Sequence, residues 1–473
     1  MRINDILLST EANFIKAITE IFPEAKLLNG AATASVELAD GSGSEFPADM
    51  QVEEKRAWAG LLALKRAYRG TEEDYENFIK GQHSKFVPLT RNSFAALGHY
   101  VRGTFYSEEK LLGLCWTVLF NDLGKIKACE DVLRIYIKDA LGHDEILAGL
   151  LGLNSEESMN LLPGYNNLSR TIQRQILDIF RTNCNISDLQ QLERPACSIV
   201  GIEYPNEPFF TSELDFAHTL FDVAGAAGHV SPGAERLHEQ TYNLFLGLRD
   251  AFMTNDPYNN YCEFRGKLLG IGGNSPEHRA LQRISALSRL GGVSAEQNAV
   301  DRNILLDAWS SLGADDKDVI VKYLSATGNS GPGFYLAFGV AMFMNPQSQY
   351  IKSITTIAPG LNDIKATQIA KRFGLSSALW NFAQICKSIS IPEAYTGTYK
   401  LVLKCANELT QIDPWQVTQT MVNVTYRDSG DAAVISRTLL DTPVIGAPNF
   451  KADFEIELKK LDMASSVKHK FGM

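Results

Sequence analysis

The sequence predicts a mostly α-helical protein, a multi-helix bundle with minor strand content. Apolar residues recur at i, i+3 and i+4 through 53–70, 108–123, 234–253 and 367–389. Capping residues bracket several of these segments. A strand is expected only at "ASVEL", residues 34–38.

Composition sets the class. The chain has 473 residues, 45% hydrophobic and 21% charged, as in an ordinary globular protein with a sizeable core. Its net charge of −10 and the absence of a basic patch exclude a nucleic-acid footprint. The mildly basic end, "SSVKHKF", reads as a solvated tail. The cysteines at 115, 129, 184, 197, 262, 386 and 405 have no CxxC spacing and read as reduced thiols. The opening "MRINDILLSTEANFIKAITEIF" reads as an amphipathic helix rather than a secretory signal. No apolar run reaches membrane-spanning length. A cytosolic location is therefore expected, in the producing cell or in one the protein is delivered into.

Three regions follow. Residues 1–80 form an N-terminal helical segment with a Gly/Ser-rich loop near 28–50. Residues 81–290 form a central helical domain, and 291–473 a C-terminal helical region. Residues 184–212, with three prolines, read as an irregular connection. "SATGNSGPG" at 325–333 is a further break. "NSPEH" at 274–278 reads as a helix cap, with Pro276 in the first turn.

The chemically pointed stretch is "LFNDLGKIKACEDV", residues 119–132. Ser107 is the expected N-cap of the helix before it, with Glu108 and Glu109 in its first turn and Gly124 as its C-cap. The apolar line Leu111, Cys115, Val118 continues four residues on at Asp122. A buried carboxylate needs a cation, hydrogen-bond donors or a metal. The plain reading pairs Asp122 with Lys125 or a helix end.

Three other helices carry polar residues on apolar faces. His143 leads the stripe Ile146, Leu147, Leu150, Leu151, with Asp144 and Glu145 suiting the helix start. Asp215, His218 and Asp222 share one face, with Gly225 and His229 on its continuation. His99 shares a face with Ala95 and Ala96. For each, a satisfied core residue or a solvated polar face is the plain alternative. No Walker A, GxSxG or HExxH motif occurs.

Taken together these residues resemble the HD superfamily of metal-dependent phosphohydrolases and phosphodiesterases. That family's pattern is a His, then an apolar helix ending in His-Asp, then a distant Asp. "SEEKLLGLCWTVLFNDLGK" resembles the middle element, with Asn121 where the family has His. "GHDEILAGLL" resembles the following segment, and "AHTLFDVAGAAGH" the closing one. His99 takes the first position, with His83 as second choice. The resemblance covers about 90–250 and implies an HD-like bundle.

It also implies a divalent metal (Mn, Fe or Mg) held by His99, Asp122 and Asp222, with Asn121, His218 and His229 as further ligand positions. Lys125, His143 and Asp144 would be the catalytic residues. The implied substrate is a small phosphorylated, nucleotide-like molecule, hydrolysed by a metal-activated water. Asn121 departs from the pattern, because an amide offers only a neutral oxygen, a poor ligand for borderline ions. The alternative is a non-catalytic helical interaction protein on a degenerate HD-like scaffold, with no nucleic acid or membrane partner. The C-terminal region is then the surface for a protein partner.

Overall fold

The structure is a computed structural model. It describes residues 2–9, 14–30, 52–82, 87–136, 143–153, 155–182, 185–202, 204–206, 208–273, 275–327, 333–337, 339–340, 343–344, 363–388, 398–402, 421–429, 432–440 and 452–461. The strand expected at 34–38 and His83 lie outside them.

The described chain is mostly helical. Its helices begin with α1 (Ile3–Leu8), α2 (Phe14–Ile21), α3 (Val52–Arg69), α4 (Glu72–Ile79), α5 (Arg91–Thr104) and α6 (Glu108–Phe120). They continue with α7 (Lys127–Arg134), α8 (His143–Gly152), α9 (Glu156–Leu161), α10 (Pro163–Asn166), α11 (Arg170–Arg181) and α12 (Ile186–Gln190). Then come α13 (Pro208–Gly225), α14 (Glu239–Phe252), α15 (Pro257–Leu269), α16 (Pro276–Ser288), α17 (Ala299–Ser310), α18 (Ala314–Leu324) and a long helix, Asp363–Ser388. No helix among the described residues is long and apolar enough to cross a membrane.

Two compact units divide the chain. The first takes Met1–Ser187 and Ile202–Arg249; the second takes Asp188–Gly201 and Asp250–His469. The expected boundary near 80 is absent. Helix α3, assigned from sequence to a separate N-terminal segment, is the hub of the first unit and packs against α1, α4, α5, α6 and α13. Two glycines let α3 and α13 approach: a β-carbon on Gly225 would stand 2.4 Å from the Arg56 carbonyl oxygen and 2.5 Å from the Gly60 nitrogen.

Buried charges tie this hub down. Lys65 is fully buried and donates to the carbonyls of Leu7 (2.9 Å) and Ser9, at the C-terminal end of α1. Cations suit that end of a helix. Arg66 donates to the Pro232 carbonyl at 2.8 Å.

The second unit packs α15 to α18 and the long helix around a core that includes Ile284, Leu305, Trp309, Phe334, Leu379 and Phe382. It also holds a five-stranded sheet: β1 (Gly333–Ala337), β2 (Thr398–Val402), β3 (Met421–Ser429), β4 (Ala432–Leu440) and β5 (Ala452–Leu461), in the order β1-β2-β5-β4-β3. β1 and β2 are parallel, pairing Gly333 with Thr398; the other pairs are antiparallel. This corrects the expectation of a helical region over 291–473, since four strands occupy Thr398–Leu461. The segments there are rich in β-branched residues ("VNVT", "AVISRT") and alternate in polarity ("FEIELK"), which favours strand.

A buried ion-pair network as the candidate functional site

Helix α6 begins as expected: the Ser107 hydroxyl accepts from the Lys110 N–H at 3.3 Å, and Glu108 and Glu109 fill the first turn. Its end differs from expectation. The helix stops at Phe120 with Asn121 as C-cap, and Leu123–Lys125 form a 3-10 turn. Gly124 is therefore not a helix cap. A β-carbon there would stand 1.8 Å from the His143 carbonyl oxygen, so glycine lets the start of α8 press onto this turn.

That contact assembles the network. Lys125 Nζ lies 2.8 Å from Asp122 Oδ2 and 3.0 Å from Glu53 Oε2. Glu53 Oε1 also accepts from Arg56 at 2.9 Å. His143 Nε2 stands 4.0 Å from Asp122 Oδ1. Glu53 is buried, whereas the Asp122 and Lys125 side chains are 25% and 22% exposed and His143 is 47% exposed. Burial draws the Lys125 pKa down, but Asp122 and Glu53 outweigh it and hold the ammonium above its ordinary value.

His229 belongs to the same neighbourhood. It lies four residues beyond the end of α13, not on the helix face that sequence periodicity extended to it. Burial lowers its pKa, the Arg56 charge lowers it further, and the Glu235 and Glu53 carboxylates oppose both.

The remaining site residues are elsewhere. His218 is buried on α13, with Nδ1 3.2 Å from Asp215 Oδ1 and its ring edge-on to Phe180. Tyr204 donates its hydroxyl to Asp215 Oδ2 at 2.6 Å. Burial opposes the charged ring, yet the Asp215 hydrogen bond and charge, with the Asp222 charge, lift the His218 pKa above its ordinary value. Asp222 is half-buried on the same helix. His99 is exposed on α5, on the outward face it shares with Ala95 and Ala96. Asn121 is half-buried. Asp144 lies in α8, with its side chain outside the described set.

So Asp122, Lys125 and His143 come together, with His229 close to the charges of Glu53 and Arg56. His218 instead pairs with Asp215, while His99 faces outward. Among the described residues no three His, Cys, Asp or Glu side chains form a group that could hold a metal ion. The donor set does not fit a divalent metal in its present arrangement, because Lys125 already places a cation between the Asp122 and Glu53 carboxylates.

Sequence reasoning missed Glu53. The periodicity of 53–70 places it on a helix, and only its tertiary contact with Lys125 reveals its role. Other buried carboxylates of the first unit follow the same rule. Glu24 accepts from Trp116 Nε1, Gly164 N and Tyr165 N, each at 2.8 Å. Glu213 accepts from Arg249 Nε at 2.9 Å and Tyr100 Oη at 2.7 Å. Asp74 pairs with Arg69 at 2.6 Å.

Residues 31–344 match the model of a family of unknown function, DUF6829, and the chain belongs to that family. No curated protein and no solved structure matches the chain.

Proposed function

We propose that this chain is a non-catalytic helical interaction protein, built on a scaffold that retains an HD-like motif and has turned its polar centre to structural use. The carrying observation is Lys125, whose ammonium lies 2.8 Å from Asp122 and 3.0 Å from Glu53. A divalent ion bridging those carboxylates would have to displace it. Asn121, at the position where the HD superfamily that the motif resembles has a histidine, points the same way, since it offers no imidazole ligand.

A cytosolic site of action is part of the proposal. It is supported by the five described cysteines, Cys115, Cys129, Cys197, Cys262 and Cys386, all free thiols.

The test is turnover of bis-p-nitrophenyl phosphate with Mn²⁺. No activity above that of Asp122→Ala supports the proposal; turnover that Asp122→Ala abolishes overturns it.

One observation favours a second reading, a metal-dependent phosphohydrolase or phosphodiesterase acting on a small nucleotide-like substrate. Asp122 and His143 stand 4.0 Å apart at a solvent-open edge. That reading requires Lys125 to leave the carboxylates for the substrate phosphate. The same assay decides it, with elemental analysis of the purified protein for Mn, Fe and Mg.

A further inference from the structure

In the second unit the chain turns sharply after α12, and the turn is strained. Leu192 has a φ of 53°, and no other non-glycine among the described residues has a positive φ. A buried leucine keeps that conformation only if its surroundings hold it.

Two side chains hold it. Arg283 reaches across from α16: its Nε donates to the Leu192 carbonyl at 2.8 Å, and its Nη2 donates to the Glu193 and Phe334 carbonyls. Glu193 ties the turn to β1 and to the residues after it. Its backbone carbonyl accepts from the Leu336 N–H at 2.8 Å, and its Oε1 accepts from the Val340 N–H at 2.9 Å. One guanidinium and one carboxyl group thus join the turn to α16, β1 and Val340.

The charges around Glu193 make this link sensitive to protons. Asp188, on α12, sets a second carboxylate near it, while Arg283 and the backbone of Gly339 and Val340 favour its ionised form. Arg194 and Tyr335 face the same place, and both engage Asp188. Arg194 Nε lies 3.3 Å from Asp188 Oδ2, Tyr335 is hydrogen-bonded to Asp188, and the Arg194 guanidinium sits 4.4 Å from the Tyr335 ring centroid. Burial is the largest influence on Glu193 and the Asp188 charge the next. Against the opposing groups they raise its pKa from 4.5 to about 7.

The neutral acid therefore suits the closed turn, and the carboxylate is better solvated once the turn opens. Between those two values the open form holds fewer protons than the closed one. Closure weakens as pH rises through that window and levels off above it.

We propose that the turn of residues 188–194 is a pH-sensitive clasp on β1 and Val340, worked by Glu193, closed in mildly acid solution and loosened above neutrality. The clasp lies wholly in the second unit and does not depend on the function proposed above.

Amide hydrogen exchange of the full chain tests it at Leu336 and Val340, in a series from about pH 5 to about pH 8 corrected for the intrinsic pH dependence of exchange. In the parent the protection of both amides should fall by about tenfold or more across the series. Glu193→Gln keeps an acceptor for the Val340 N–H and cannot ionise, so its protection should stay level. Protection that does not change with pH in the parent overturns the proposal, and so does a fall that survives in Glu193→Gln. If Glu193→Gln does not fold, Asp188→Asn decides. Without the neighbouring negative charge the fall should move to lower pH, and an unmoved profile overturns the proposal.

Discussion

Gly124 and His143 meet backbone to backbone: a β-carbon on Gly124 would stand 1.8 Å from the His143 carbonyl oxygen. This contact sets α8 against the turn that carries Asp122 and Lys125. A carbonyl oxygen in a helix cannot swing aside as a side chain can. Gly124→Ala should therefore destabilise the first unit by about 1–3 kcal/mol, the range for forced overpacking. Urea unfolding checks it; an unchanged midpoint would mean the contact is slack.

Lys125 neutralises a buried carboxylate and a partly exposed one, and the two links should differ in strength. Lys125→Ala leaves Glu53 with Arg56 alone and should cost about 1–3 kcal/mol. Asp122→Ala, at a quarter-exposed pair, should cost about 1 kcal/mol or less. A double-mutant cycle should find a larger coupling for Lys125 with Glu53 than with Asp122. Equal couplings would refute this ranking.

His218 predicts a pH dependence with a definite sign. Its folded pKa lies above the ordinary value of 6.5. Its stabilising contribution is thus complete below about pH 6.5 and is lost as pH rises through the folded pKa. Subtracting the stability of His218→Gln from that of the parent should give a difference that falls across that window. His229 works in the opposite sense, because its pKa is lowered. The comparison must therefore be with the His218 variant and not the raw profile. A flat difference would sink the assignment.

The Lys65 ammonium binds carbonyls at the end of α1. Lys65→Met keeps much of the apolar stem and removes the charge. Hydrogen exchange should then show lost protection over Ile3–Leu8, ahead of global unfolding. Protection that survives would place the anchoring elsewhere, in Ile3, Ile6 and Leu7, which are buried.

Local chemistry was well written in the sequence. The Ser107 and Ser275 caps hold, with Pro276 in the first turn after Ser275. The 53–70 helix is observed as Val52–Arg69, although the segment read from 234 becomes helical only at Glu239. Asp122 proved to pair with Lys125, three residues away, as the plain reading allowed. Long-range partners were not legible, because Glu53 and Lys125 are separated by 72 residues. The sheet offered a signal that went unused. Two β-branched runs separated by Gly430-Asp431 form a hairpin pattern, and β3 and β4 pair across it.

Helix α3 buries four ionisable side chains, Glu53, Glu54, Lys65 and Arg66. Two of their mates lie far along the chain, Lys125 for Glu53 and the Pro232 carbonyl for Arg66. A helix so charged is soluble by itself and becomes core only when both distant segments arrive. Its assembly is therefore a checkpoint on chain completeness. A fragment stopping at Ser187 would lack the Pro232 carbonyl and all of α13, so the buried Arg66 would keep the Asn77 carbonyl but lose one acceptor, and α3 would lose its most extensive helix partner. Such a fragment should stay open and be cleared by proteases, which makes the 202–249 return segment a requirement for a folded first unit rather than an accessory to it.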